Sequence, residues 1–258
     1  MDKLFPRMYD CPESKQIAQG ILYWFFYIML LPFLFLFVLA SGEISDSLMV
    51  GVNAVYFLIN GVAVFGIFRQ YLMDSFWNVR LYKSRFFQSV GLGLLVFFVV
   101  EFLVITIEAV LSGTVNTIPL PAADAIFGGY GFVLLYASPI FMGLCLLTIV
   151  PVTMSCLYYA VGFASPCQNK IWLGYLVAAL VAAVPVILQI TSGMMSIDEA
   201  LLYYIQMLPL HMCACWVYQR SDTVWGAIAF QSAANLLGIL FTPWLIYLEA
   251  VTEFAAMH

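Results

Sequence analysis

A chain of 258 residues that is 64% hydrophobic and only 9% charged is not an ordinary soluble domain, since such domains run about 25% charged and about 45–50% apolar. The composition is that of an all-α, polytopic integral membrane protein, with the lipid bilayer as its first expected partner. The net charge of −5 reflects few charges in total. No basic patch is large enough to invite nucleic acid, and none is expected as a partner.

Residues 1–18, which begin MDKLFPRMYDCPESKQ, form a short charged segment. The apolar run after it, roughly 19–40, exceeds the h-region of a signal peptide, about 7–15 residues, and reads as a retained first span. A helix needs about 20 apolar residues to cross a bilayer. Long apolar runs without alternation exclude a closed β-barrel, the other structure that satisfies its own backbone in lipid. Seven candidate helices follow in order, near 19–40, 48–68, 87–112, 129–164, 171–191, 200–218 and 223–248.

The basic residues test this count. They are Lys3, Arg7, Lys15, Arg69, Arg80, Lys83, Arg85, Lys170 and Arg220. With seven spans and a cytoplasmic N-terminus, all of them fall on the cytoplasmic side. The opposite loops hold Glu43, Asp46, Asp124, Asp198 and Glu199 without a single Lys or Arg. That is a positive-inside partition, and it places the C-terminal tail, 249–258, outside.

Two segments stand out. The turn-rich stretch SGTVNTIPLPAADAIFG, 112–128, suits the outer interface. The element at 129–164 would be about 54 Å long at about 1.5 Å per residue, too long for one bilayer. Pro139 and Pro151 can kink it, and a broken helix or re-entrant segment is the alternative. The chain carries no long-period repeat, so 1–258 reads as one membrane domain.

Few residues carry chemistry. The cysteines are Cys11, Cys145, Cys156, Cys167, Cys213 and Cys215. None is in an expected outer loop, so no disulfide framework is expected. Cys213-x-Cys215 has no second pair to complete a zinc site, and small apolar fillers explain them better. No cofactor and no metal are expected. Glu101 and Glu108 share a helix face. A carboxyl at membrane depth is a functional candidate by default, and its plainer role is a hydrogen bond that locks helices together. His211 has Cys215 one turn on, which is a nucleophile pair in principle and more simply an interhelical hydrogen-bonding residue. Gln231 and Asn235 share a face at i, i+4, with Gln189 and Gln206 as further polar candidates for a cavity or partner-binding site.

The stretch IVPVTMSCLYYAVGF, 149–163, then matters as a frame. Val150-Pro151-Val152-Thr153, the helix text GYLVAALVAAVPVILQ at 174–189, and LPLHMCACWVYQRSDTVWGAIAFQSAANLLG at 208–238 together resemble the CPBP family, which includes CAAX prenyl endopeptidases and bacteriocin-processing and immunity proteins. The resemblance covers roughly 141–240, and it makes 129–248 the CPBP-like core after the N-terminal spans of 19–128. It implies a bacterial plasma membrane setting. The family's Glu-Glu-x-x-x-Arg falls on Met154, Ser155 and Tyr159. Its Phe-x-x-x-His puts the phenylalanine on Ala182 and the histidine on Val186, a register preferred over a shift of three that would put it on Gln189, and its His-x-x-x-Asn falls on Gln231 and Asn235. Family catalysis is thought to use glutamate and histidine to activate water, and a base of that kind must exchange a proton near neutral pH. Met154, Val186 and Gln231 do not, and Ser155 does so only with a partner base. No catalytic residue is therefore expected.

The expected function is that of an inactive pseudoprotease which binds a peptide or membrane-protein partner in a scaffold, regulatory or immunity role. One alternative is an active intramembrane protease built on Glu101, His211, Gln231 and Asn235. The other is a small membrane transporter subunit.

Overall fold

The computed structural model describes residues 14–29, 46–112, 171–191 and 196–237. These residues are helical, with no strand among them. They form α1 (Ser14–Met29), α2 (Asp46–Leu81), α3 (Lys83–Ser112), α4 (Ile171–Thr191), α5 (Ile197–Ser221) and α6 (Val224–Leu237). The expected element at 129–164 and the loop 112–128 lie outside the described residues, apart from Ser112.

Among the described residues, two helical stretches, Lys83–Ile107 and Ile197–Ser221, are long and apolar enough to cross a membrane. They differ in place. Half of the most apolar stretch in α5 is buried, against 17% in α3. Thus α5 is the central helix, packed on α3 and on α4, and α3 turns most of its apolar surface outward. Phe87, Leu95, Val99, Phe102, Leu103 and Ile107 are all exposed.

The start of α5 is specified locally. Ser196 takes the extended conformation of an N-cap and its hydroxyl accepts from the Glu199 backbone N–H. Glu199 Oε2 accepts in turn from the Ser196 backbone N–H at 2.9 Å. This is a capping box. Asp222, in the left-handed region at φ 54°, ψ 30°, ends the helix. Asp tolerates that region better than most side chains, and the chain re-enters helix at Val224.

The core is built from aromatics and small residues. Phe68, Leu72, Val217 and Phe230 are almost wholly buried, with Ala214 and Cys215 beside them. Glycines set two close approaches. A side chain on Gly20 would meet the Phe68 ring, and one on Gly93 would meet Val217 and Phe230. The Phe97 and Phe230 rings meet edge-to-face at 6.0 Å and 87°, a favoured arrangement.

The helix bounds depart from expectation at several ends: α1 begins at Ser14 rather than 19, α3 at Lys83 rather than 87, and α2 departs furthest. The interval 69–86, between the expected spans 48–68 and 87–112, is left as a cytosolic connection. Instead α2 continues to Leu81, and the single residue Tyr82 separates it from α3. The physical reason is that the polar residues occupy one side while Tyr71, Leu72 and Ser75 are buried on the other. This amphipathic extension is held by tertiary packing.

Candidate functional site

The expected site residues fall into three groups. The first is drawn together. His211 on α5 and Gln231 on α6 are both buried, and Gln231 Nε2 lies 3.5 Å from His211 Nδ1. With the amide as donor, Nδ1 accepts and the ring proton sits on Nε2. Asn235 is partly buried one turn beyond Gln231.

Glu101 on α3 is buried and is an electrostatic neighbour of Cys213 on α5. Gln206 is buried towards the middle of α5. The central helix thus receives polar groups from two others. Cys213 and Cys215 are both free and buried in the apolar core. Two residues apart on a helix cannot share a face, and both are buried because α5 has neighbours on more than one side.

The second group is apolar. Val186 on α4 is buried with Ala200, Tyr203 and Met207 of α5. It acts there as a packing residue. The third group, Met154, Ser155 and Tyr159, lies outside the described residues. Gln189 lies on α4, and its side chain and that of Glu108 are also outside them.

A second polar centre forms where the α5–α6 turn, part of the resembled stretch 208–238, meets Leu72, Ser75 and Arg85 from outside it. The Thr223 hydroxyl donates to the Ser75 backbone carbonyl at 3.1 Å, and the two hydroxyls meet at 2.8 Å. Trp225 Nε1 donates to the Leu72 carbonyl at 2.8 Å. Ser221 Oγ donates to the Thr223 carbonyl at 3.1 Å.

From the first turn of α3, Arg85 Nε donates to the Arg220 carbonyl at 2.7 Å, and its guanidinium pairs with the Asp222 carboxylate. Carbonyls at a helix end have no partner within the helix, so this arginine caps α5 from a neighbour. Burial pushes the Asp222 carboxyl above its ordinary value, and the Arg85 charge and hydrogen bond pull it down by less. Ser75, Thr223 and Arg85 carried no signal as a group, because they are separated by up to 148 residues.

The chain matches no family model, no curated protein and no solved structure.

The chemistry of the deep pair is hydrogen bonding. A glutamine amide neither takes up nor releases a proton near neutral pH, so Gln231 orients a neighbour but does not relay charge.

Proposed function

We propose that this is a multi-pass membrane protein of about seven spans, on a CPBP-like frame, which binds a peptide or a membrane helix without cutting it. The observation that carries the reading is Gln231. It occupies the position where the resembled motif has a histidine, it is buried, and it meets His211 in a neutral donor–acceptor pair. A hydrolytic site needs a group there that exchanges protons with water. Val186, at the other histidine position, contributes apolar packing. Polar groups buried in a helical membrane protein join helices and receive polar groups of a partner, and Glu101, Gln206, His211, Gln231 and Asn235 supply donors and acceptors for that.

The test uses the full chain in nanodiscs, incubated with membrane-segment and CAAX-type peptides that carry a photo-crosslinker, with products read by mass spectrometry. The expected result is crosslinked, intact peptide. A Gln231→Leu substitution should weaken capture several-fold. Peptide fragments that disappear in His211→Ala or Glu101→Gln would overturn the reading in favour of an active protease. Absence of crosslinks to every peptide class would remove its support.

A further inference from the structure

The groove between α1 and α2 belongs to neither polar centre. It encloses about 580 Å³ and is lined by Lys15 and Gln19 of α1 and by Gly66, Arg69, Gln70 and Asp74 of α2, among others. Lys15 and Arg69 are exposed, and among the described residues neither forms an ion pair. Two cations against one carboxylate leave the groove with a net charge of about +1 at neutral pH.

What lies beyond the groove decides what it fits. On α1 the face that carries Lys15 and Gln19 continues to Leu22 and Phe26, at i+7 and i+11. On α2 the face that carries Arg69 and Gly66 continues, in the descending direction, to Val62 and Ile59. All four of these apolar side chains are exposed. Each helix passes from cationic and amide groups to bare hydrocarbon within about one turn. That is the polarity profile of a membrane interface, and a ligand that matches it has an anionic polar head and apolar tails. The groove is also open at its floor. A side chain built on Gly66 would meet nothing within 4 Å, so the space against that backbone is free.

We propose that this groove is the headgroup site of a singly charged phospholipid of the phosphatidylglycerol type, in the cytoplasmic leaflet. The phosphodiester sits between Lys15 and Arg69. The headgroup hydroxyls donate to the Asp74 carboxylate and accept from the glutamine amides. The acyl chains lie against Leu22 and Phe26 of α1 and Val62 of α2. Charge complementarity selects this occupant, because a net +1 site neutralises one phosphodiester. A choline headgroup is zwitterionic, so it leaves the net +1 of the site uncompensated, and its quaternary ammonium cannot donate a hydrogen bond to Asp74. The proposal rests on the bilayer placement of α1 and α2 and is independent of peptide binding.

The test is native mass spectrometry of the full chain released from detergent, with phosphatidylglycerol, phosphatidylethanolamine or phosphatidylcholine added at known ratios. The expected result is a phosphatidylglycerol adduct held at least tenfold more tightly than phosphatidylcholine. The double substitution Lys15→Ala, Arg69→Ala should weaken it tenfold or more. Gly66→Phe, which fills the groove from a position free of protein neighbours, should do the same while thermal unfolding stays unchanged. Arg80→Ala is the control. That arginine is on the same helix but stacks over the Phe76 and Trp77 rings, at 5.4 and 5.1 Å, and its loss should change binding by less than twofold. Equal retention of phosphatidylcholine or phosphatidylethanolamine, or equal loss in Arg80→Ala, would overturn the site. So would tight binding that survives the Lys15/Arg69 double substitution. Displacement of the lipid by soluble glycerol phosphate at a matching concentration would assign the groove to a free phosphate and overturn the lipid.

Discussion

The two surfaces of α3 contrast sharply. Toward α5 and α6 it presents Ser89, Gly93, Phe97 and Glu101, one residue per turn, all buried. They are a hydroxyl, a bare backbone, one aromatic ring and a carboxyl. Away from them it presents Phe87, Leu95, Val99, Phe102 and Ile107, all exposed. A soluble protein would place these the other way round. In a bilayer, association of helices gains little from hiding hydrocarbon, because the lipid is as apolar as leucine. Small residues, close backbone contact and hydrogen bonds do the work instead. The inner surface of α3 is built that way, and α2 forms its own seam with the α5–α6 turn and α6 through the Ser75–Thr223 and Leu72–Trp225 bonds.

The contrast is tested most severely by a pair of glycines two residues apart. Gly93→Leu should cost about 3 kcal/mol, because the new side chain has to displace Val217 and Phe230. The loss would be read as a fall in the denaturant midpoint of the detergent-solubilised protein. Thr223→Val comes next. It keeps the shape and removes both contacts to Ser75, and about 2 kcal/mol should be lost in the same titration. A loss near zero would mean that the seam is held by packing alone.

Arg85→Ala should cost about 1 kcal/mol, since the ion pair is partly exposed and screened, while the Arg220 carbonyl loses its cap. Its pH dependence gives a sharper reading. The Asp222 carboxyl stands above its unfolded value in the folded protein. Its stabilising contribution is therefore complete below the unfolded carboxylate value and is lost as pH rises through the folded value. Without Arg85 the carboxyl rises further. The deficit of Arg85→Ala relative to the parent should be greatest where Asp222 is ionised and shrink on acidification through that window. A deficit independent of pH would leave only the cap. Gly91→Leu, on the outer surface where an added Cβ meets nothing within 4 Å, should change stability by less than about 0.5 kcal/mol. A loss comparable to that of Gly93→Leu would break the distinction between the two surfaces.

Much of the helical layout is legible without coordinates. The bounds 171–191 coincide with α4. The range 200–218 falls inside α5, whose extra turn is explained by the Ser196–Glu199 capping box. The break near 221 is where Asp222 turns the chain. Residues 69–81 lie beyond the apolar run 48–68 and are still helical, because a helix needs only a buried stripe, here Tyr71, Leu72 and Ser75. Of the candidate site, the motif positions single out Gln231 and Asn235, and rarity singles out His211. Nothing in their spacing pairs His211 with Gln231 across a turn. In the sequence Lys15 and Arg69 are only two of the basic residues on the cytoplasmic side, and nothing there joins them in a groove.

Composition and charge by themselves determined that this protein is helical and suited to a bilayer, and which of its residues are polar within apolar runs. Those are properties of a segment and its immediate neighbours. Which surface of each helix turns inward was decided by tertiary structure alone. A helix apolar all round, such as α3, carries no stripe to mark its buried side. Its orientation comes from the fit of Gly93 against Val217 and Phe230, and from the bond of Arg85 to the Arg220 carbonyl, whose partners meet only when the helices pack.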